Sequence, residues 1–454
     1  MNLMDDDFSR LCESLSCKAS KLQFDDNAGS RGICGKEMLN AAETIVMVRW
    51  SSCISVETAA EYLHTNSSSL MPHGLSALAN LVQAGSPLVP EGSAWLLLLA
   101  LFLLLALAKN DSEWACYLQL LPCPLNAKGM CVYPSGPSTP HLLFFSAAEL
   151  DELQYEPVKV ATLKERDRLA ALHCQLFGHA GNTVDLGSFM WAHCLVRSRA
   201  ISPPSSIQAA PPSHSSAGSA DQSLDKVLQC GGSCLVPVVD MCNHTGQGGS
   251  AHLVWGQQHQ GHRTVELVAK QQHQPGEEVT LDYGCHPLQH MLYQYGFMPG
   301  HGTEGAVYEV FEDFGSMWEV LIVQASQQGG VLSLKEAGVQ GDAQSGPDMH
   351  PTQHQCRKLE PAQERAISVR IAAECQQLLN EMSTTIEQDK QQLMTTGRQQ
   401  LAHMPWKHAE HQELALKYRI ARKQTLYTVI QDLEAIVCLL FADDMLDEGK
   451  SMLC

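Results

Sequence analysis

The residues best suited to chemistry lie in two short motifs. An apolar run that starts at Leu235 ends in Asp240, Asn243 and His244, and about forty positions later a strand pattern ends in Tyr283. A carboxylate, an amide, an imidazole and a phenol can donate and accept hydrogen bonds around a polar reactant. The structural alternative is a polar turn after a buried strand and a tyrosine packed against the core. Because Asp240, Asn243 and His244 occur together with Tyr283 in this order and spacing, we favour a reactive site.

The elements around these motifs must position their side chains. Short β-branched and apolar runs predict strands over 44–48, 235–239, 253–255, 264–268 and 278–283. Apolar residues at helical spacing predict a helical insert over about 56–195. Residues 201–222 are rich in Pro, Ser and Ala and are predicted to form a disordered loop. From about residue 359 the chain is predicted to be helical nearly to its end.

This order predicts an α+β fold: a small β piece, a helical insert, a β core and a helical C-terminal domain. A chain of 454 residues suggests two or three domains, and its 44% of hydrophobic residues can fill real cores. We expect a first domain at 20–300 and a helical domain at 301–454.

Composition excludes several classes of protein. The net charge of −19 argues against a general nucleic-acid binder, which would carry a basic stripe. The fourteen apolar residues of Trp95–Ala108 are fewer than the roughly 20 that a membrane span needs, so we predict a buried core helix and no membrane contact. The pair Cys230 and Cys234 lacks a second pair nearby, so no metal site is expected.

The N-terminus and the cysteines bear on the compartment. Residues 1–10 carry three aspartates and no apolar segment, which argues against a secretory signal. The 17 cysteines show no repeating spacing, so reduced thiols are expected. We predict a cytoplasmic or nuclear protein. A plastid also stays open, although no clear transit peptide is visible.

Several segments resemble, in the same order, the SET-domain protein methyltransferases of the Rubisco large-subunit methyltransferase branch. The matching segments are Tyr117-Leu118, Trp191-Ala192 with Ser198-Arg199, Leu235-Val236-Pro237 with Asp240 to His244, Gly276 to Val279, Tyr283-Gly284, Ser383 to Glu387, and Ala415 to Leu426. Each match is short, but the shared order covers about 400 residues. The resemblance implies a SET-domain β core with a helical insert, followed by an all-α substrate-binding domain.

The resemblance also implies an activity, namely methyl transfer from S-adenosyl-L-methionine to a lysine of a non-histone protein. An in-line displacement needs the donor and the amine to be aligned, and oxygen atoms around the polarised methyl add weak C–H···O contacts. The zinc-binding cysteines of chromatin SET proteins are absent after the core, which points away from histone tails. The implied partner is a protein substrate. Neither nucleic acid nor a membrane is implied, and the chain is expected to be a monomer.

The resemblance assigns roles to individual residues. Tyr283 is the implied catalytic residue, with its hydroxyl at the inner end of a lysine channel. Cofactor contacts are implied for Gly29, Ser30, Arg31, Ser198, Arg199, Asn243, His244 and Tyr283. Substrate contacts are implied for Arg199, Asp240, Trp255 and Tyr295. No general base stands out, so a lysine amine of pKa about 10.4 would lose its proton through solvent in the channel.

Two alternatives stay open. Residues 240–245 are also similar to the actin-histidine methyltransferases, which transfer the methyl group to a histidine. Those enzymes place an Asn shortly after the Arg of the preceding helix; here Ala200 and Ile201 follow Arg199, and Tyr295 favours lysine. The second alternative is a non-catalytic module that uses its helical tail as a protein-binding platform.

Overall fold

The described part of the chain forms two compact units. The computed structural model describes residues 3–25, 32–66, 74–109, 112–122, 141–178, 184–204, 232–245, 248–259, 262–284, 286, 288–298, 321–322, 333–334, 361–399 and 406–451. Unit 1 comprises residues 1–143, 160–284 and 294–296, and unit 2 comprises 144–159, 285–293 and 297–454. Gly29, Ser30, Arg31, Cys230 and residues 205–222 of the predicted loop lie outside the described residues. The boundary at 300/301 stays a prediction.

Helices dominate both units. The α-helices are α1 (Leu3–Ser14), α2 (Val56–Asn66), α3 (Gly74–Gln83), α4 (Ala94–Lys109), α5 (Ala115–Leu120), α6 (Ala147–Asp151), α7 (Glu156–Phe177), α8 (Leu186–Arg199), α9 (Leu288–His290), α10 (Pro361–Glu381), α11 (Ile386–Gln399) and α12 (Trp406–Ser451). Short 3-10 helices cover Trp50–Ser52, Leu142–Phe144 and Val239–Met241, and a π-helical turn covers Met291–Tyr295. The helical insert and the helical tail are confirmed.

The strands form two sheets in unit 1 and a short pair in unit 2. They are β1 (Leu22–Asp25), β2 (Gly32–Gly35), β3 (Thr44–Arg49), β4 (Asn243–His244), β5 (Ala251–His259), β6 (His262–Ala269), β7 (Glu278–Leu281), β8 (Leu321–Ile322) and β9 (Ser333–Leu334). One sheet has the order β1-β2-β7-β4, and the other has β3-β6-β5. In the first sheet β4 runs parallel to β7, with Asn243 opposite Thr280 and His244 opposite Leu281. This pairing sets the first motif beside the strand that leads to Tyr283.

Helix α4 is the centre of the helical insert. Twelve of its sixteen residues are buried, including every position from Leu97 to Leu107, and it packs against α2 and α8. A helix that is apolar on all faces is stable in water only when it is surrounded. The prediction of a buried core helix is confirmed. Within the described ranges, none of the helices has the length and apolar character that a membrane span requires.

The strand predicted over 235–239 is wrong. Leu235 makes only an isolated bridge to Ile54, and the chain then turns into the 3-10 helix Val239–Met241. Pro237 has no N–H to donate to a ladder, and Val238 adopts a φ of 73°, which is rare for a β-branched residue. Strained backbone of this kind concentrates at functional sites. Here it redirects the chain just before Asp240.

Unit 2 is predominantly helical, as predicted, with the two-residue pair β8–β9 in addition. Helix α11 begins with a reciprocal cap, in which the Thr385 hydroxyl accepts from the Gln388 N–H and the Gln388 side chain accepts from the Thr385 N–H. Helices α10 and α12 share an apolar core that comprises Ile371, Cys375, Leu379, Met382, Leu426, Ile430 and Leu433. Thr385 is therefore the N-cap residue of this helix.

Candidate active site

Tyr283 lies two residues beyond β7 and is anchored by the first motif. Its N–H donates to His244 Nδ1 over 3.1 Å, and its hydroxyl donates to the main-chain oxygen of Cys242 over 2.6 Å. Burial raises the pKa of Tyr283 well above its ordinary value. The phenol therefore stays neutral near pH 7. Because its proton is directed at Cys242, its oxygen lone pairs can accept from a reactant.

Tyr295 packs next to Tyr283. The two ring centroids are 5.1 Å apart at an angle of 37°. Burial raises the pKa of Tyr295 to about 12, although the nearby Arg197 opposes the rise. Gln294 fixes this turn to the end of α8, because it accepts from Arg197 Nε over 2.6 Å and donates to the Arg197 main-chain oxygen over 2.5 Å. The structure thus joins the two tyrosines that the sequence singled out.

Asp240 is buried in the 3-10 helix that follows Val238. One carboxylate oxygen accepts from the Tyr117 hydroxyl, and the other, Oδ1, has no hydrogen-bond partner within the described part of the chain. Burial raises the pKa of Asp240 to about 6, against the opposing effects of Arg199 and Tyr117. Arg199 Nη1 donates to the main-chain oxygen of Asp240 over 2.7 Å. Arg199 therefore holds the backbone of this turn.

Asn243 is positioned by a carboxylate. Its Nδ2 donates to Glu278 Oε1 over 2.6 Å, which leaves Oδ1 of the amide as an acceptor for another donor. Gly32 adjoins both side chains, because a Cβ at this position would lie 2.3 Å from Glu278 Oε1 and 2.9 Å from Asn243 Nδ2. Only glycine leaves room for this contact. The Asn243–Glu278 pair therefore lies beside Gly32, the first residue of β2.

The remaining predicted residues are placed elsewhere or outside the described chain. Ser198 hydrogen-bonds within α8, to the Leu195 oxygen over 3.4 Å. Trp255 lies on β5 of the other sheet, where its ring meets Trp50 edge-on at 6.2 Å. Its assignment to a substrate channel stays a prediction. So does the cofactor role of Gly29, Ser30 and Arg31.

Sequence reasoning assigned no site role to three residues that the structure brings in: Tyr117, Glu278 and Gln294. Tyr117 and Glu278 both stand in segments that carried the family resemblance, so that signal could have found them. Gln294 had no such signal, because its contact depends on a long-range approach to α8. Among the described residues, no group of three His, Cys, Asp or Glu is arranged to hold a metal ion.

Comparison with known proteins shows which fold the chain has. Residues 327–426 match the family model described as Rubisco LSMT substrate-binding. The structure of the SET domain of LSMT bound to lysine and AdoHcy is similar, with a TM-score of 0.53 and 15% identity, covering 96% of this chain and 92% of that one. Rubisco LSMT bound to AdoMet gives a TM-score of 0.52 and 14% identity, covering 97% and 93%. The chain has the LSMT-type SET fold. No curated protein sequence matches it.

The match also agrees with the organisation of the chain. The matched region at 327–426 lies within unit 2 and includes α10, α11 and part of α12. The two sheets and the tyrosine pair lie in unit 1. The predicted α+β class, with a SET-type core and a helical C-terminal substrate-binding domain, is confirmed.

Proposed function

We propose that this protein is an S-adenosyl-L-methionine-dependent protein-lysine N-methyltransferase that acts on a non-histone protein. The observation that carries the proposal is Tyr283. It is a neutral, half-buried phenol whose hydroxyl donates to a main-chain carbonyl, whose ring packs against Tyr295 and whose N–H donates to His244. In an LSMT-type SET fold, this is the arrangement expected to orient an amine for methyl transfer.

The residues around Asn243 fit the amino-acid end of the proposed cofactor. S-adenosyl-L-methionine, when bound, supplies a methyl group on a sulfonium together with an ammonium and a carboxylate. The amide oxygen of Asn243 and the neighbouring carboxylate of Glu278 are acceptors suited to an ammonium. His244 and Arg199 would complete the site, together with Ser198 and the turn at Gly29, Ser30 and Arg31.

The proposed mechanism uses Tyr283 to orient the reactants, and not as a base. Its raised pKa keeps the phenol protonated, so it does not remove the lysine proton. With substrate and cofactor bound, the hydroxyl oxygen would be the acceptor for the amine N–H and for the polarised C–H bonds of the methyl group. The lysine proton leaves through solvent. Asp240 shapes the turn beside the channel, and its carboxylate is already engaged by Tyr117.

Lysine is favoured over histidine as the acceptor. Tyr295 brings a second phenol within 5.1 Å of Tyr283, ring centre to ring centre. Two phenols side by side offer two oxygen acceptors to the N–H groups of a primary amine. The matched region at 327–426 supports a protein substrate, which we propose docks there as a partner of a monomeric enzyme. The sequence lacks, after the core, the zinc-ligand cysteines of chromatin SET proteins, which supports a non-histone substrate. We propose a cytoplasmic or nuclear location, with a plastid still open.

The test is to incubate the full chain and labelled cofactor with cell lysate and to identify the methylated amino acid. We expect methyl-lysine in a small set of proteins with wild type, and loss of the label with Tyr283→Phe. Tyr427→Phe is the matched control, because Tyr427 is 47% exposed on α12. Methyl-histidine would support the histidine alternative. Calorimetry without cofactor binding would support the non-catalytic one.

A further inference from the structure

A cleft in unit 1, separate from the tyrosine site, is lined by two cysteines. The cleft has a volume of about 540 Å³ and lies at the end of α1, with Cys12, Cys17, Leu22 and Lys36 among its lining residues. It shares no residue with the tyrosine site. Both cysteines are unbridged and partly exposed. A small reagent can therefore reach them from the cleft.

The backbone brings the two cysteines side by side. Helix α1 ends at Ser14, Ser16 takes a left-handed φ of 50°, and the Cys17 N–H donates to the Cys12 oxygen over 2.8 Å. A hydrogen bond from the N–H of residue i+5 to the carbonyl oxygen of residue i is typical of a Schellman motif at the C-terminus of a helix. Both side chains line the same cleft.

The two thiols differ in character. The neighbouring Cys17 thiol and the charge of Lys36 lower the pKa of Cys12, although burial opposes them. The neighbouring Cys12 and burial raise the pKa of Cys17. A thiolate is the reactive form of cysteine, and a neighbouring cation favours it. By contrast, Cys53 is fully buried, and burial raises its pKa. Cys12 is thus the better nucleophile, and the backbone hydrogen bond at the helix end holds Cys17 beside it.

We propose that Cys12 and Cys17 form a dithiol modification site that reacts with small disulfides of the glutathione class. The Cys12 thiolate attacks one sulfur of the small disulfide, forms a mixed disulfide and releases one thiolate, which takes a proton from solvent. Cys17 then loses its proton to solvent and attacks the Cys12 sulfur, which breaks the mixed disulfide and releases the second small thiol. In sum, two protein thiols are oxidised and one small disulfide is reduced to two thiols.

The test is mass spectrometry of the full chain after exposure to glutathione disulfide, with remaining thiols blocked before digestion. Arg10 and Lys18 flank both cysteines, so one tryptic peptide, 11–18, contains the whole site. In wild type we expect this peptide to lose two hydrogens and to carry no glutathione. In Cys17→Ser, which keeps the size of the side chain but has no second thiol, we expect a stable glutathione adduct on peptide 11–18.

An internal control is Cys174, which is exposed on α7. In Cys17→Ser we expect Cys12 to be modified about 10-fold faster than Cys174. The single variant Cys174→Ser, which keeps Cys12 and Cys17, should give the same result at peptide 11–18 as wild type. Glutathione that accumulates first on Cys174, a wild-type adduct on Cys12 that does not close, or a link from Cys17 to Cys53 would each overturn the proposal. Circular dichroism of each variant checks that it is folded.

Discussion

Each unit contains a buried aspartate, and the pKa values of the two carboxylates shift in opposite directions. In unit 1, Asp240 accepts from the neutral Tyr117, has one oxygen without a partner in the described chain, and burial raises its pKa to about 6. In unit 2, Asp389 accepts from Arg419 Nη2 and from Lys423 Nζ, each over 2.6 Å. Burial alone would raise the pKa of Asp389, but the hydrogen bonds from Lys423 and Thr384 and the charge of Arg419 lower it.

The residues of the unit 2 cluster make further contacts. Arg419 Nη1 reaches Glu152 over 2.9 Å, and Lys423 Nζ reaches the Thr384 hydroxyl over 2.9 Å. The guanidinium of Arg422 lies 3.7 Å from the ring centre of Tyr155. Paired buried charges of this kind hold helices in one arrangement, whereas a partly satisfied acid with a raised pKa is typical of a functional site. The contrast therefore indicates a structural role for Asp389 and a place in the functional site for Asp240.

The largest expected effect is on the scaffold. Asp389→Ala leaves Arg419 and Lys423 buried without their anion, and removal of one partner of such a cluster costs about 3–5 kcal/mol. Glu387→Ala on the same helix is the control, because Glu387 is exposed and should change stability by less than about 0.5 kcal/mol. Urea unfolding of the full chain measures both. Similar midpoints for the two variants would contradict the scaffold role.

The next effect is on the site. Tyr283→Phe keeps the ring but removes a hydroxyl aimed at the reacting centre, which is worth about 2.7–4 kcal/mol, or roughly 100- to 1000-fold in rate. Stability should fall by only about 1 kcal/mol, because the Cys242 carbonyl loses one hydrogen bond. Single-turnover methyl transfer at saturating cofactor measures the rate. A wild-type rate would make Tyr283 a packing residue.

A smaller effect tests the raised pKa of Asp240. Because the folded protein binds this proton more tightly than the unfolded chain, stability should fall as pH rises from about 4 to 6 and then level off. The loss is on the order of 3 kcal/mol, and Asp240→Asn, which does not titrate, should lack it. Unfolding at a series of pH values compares the variant with wild type. Parallel curves would show that the buried acid does not titrate in this range.

The smallest effect concerns cofactor binding. Asn243→Ala removes the acceptor proposed for the cofactor ammonium and should weaken binding about 10-fold, or about 1.4 kcal/mol. Glu278→Gln keeps an acceptor for Asn243 Nδ2 but loses the charge, so a smaller loss is expected. Glu277→Gln, at the exposed neighbouring position, is the control. Calorimetry with S-adenosyl-L-methionine decides; equal affinity for Asn243→Ala and wild type would remove this residue from the cofactor site.

Local patterns account for what could be predicted from the sequence. Strand β3, helix α8 and the helical tail follow from periodicities of adjacent residues, and the motif residues Asn243, His244 and Tyr283 lie together because β4 pairs with β7. The turn at Val238 was missed because an apolar run looks like a strand until Pro237 is weighed. The bond from Tyr117 to Asp240 joins residues 123 positions apart, and no spacing rule predicts such a contact.

The apolar helix α4 has a consequence for folding during synthesis on the ribosome. It packs against α8, which ends 90 residues after α4 does, at Arg199 against Lys109. At a synthesis rate of about 5–20 residues per second, the ribosome needs roughly 4 to 18 s to complete the partner. During that interval α2 is already synthesised but α8 is not, so the side of the leucine-rich helix that packs against α8 stays uncovered. Chaperone capture of arrested nascent chains should therefore peak between these two points and fall once α8 has emerged.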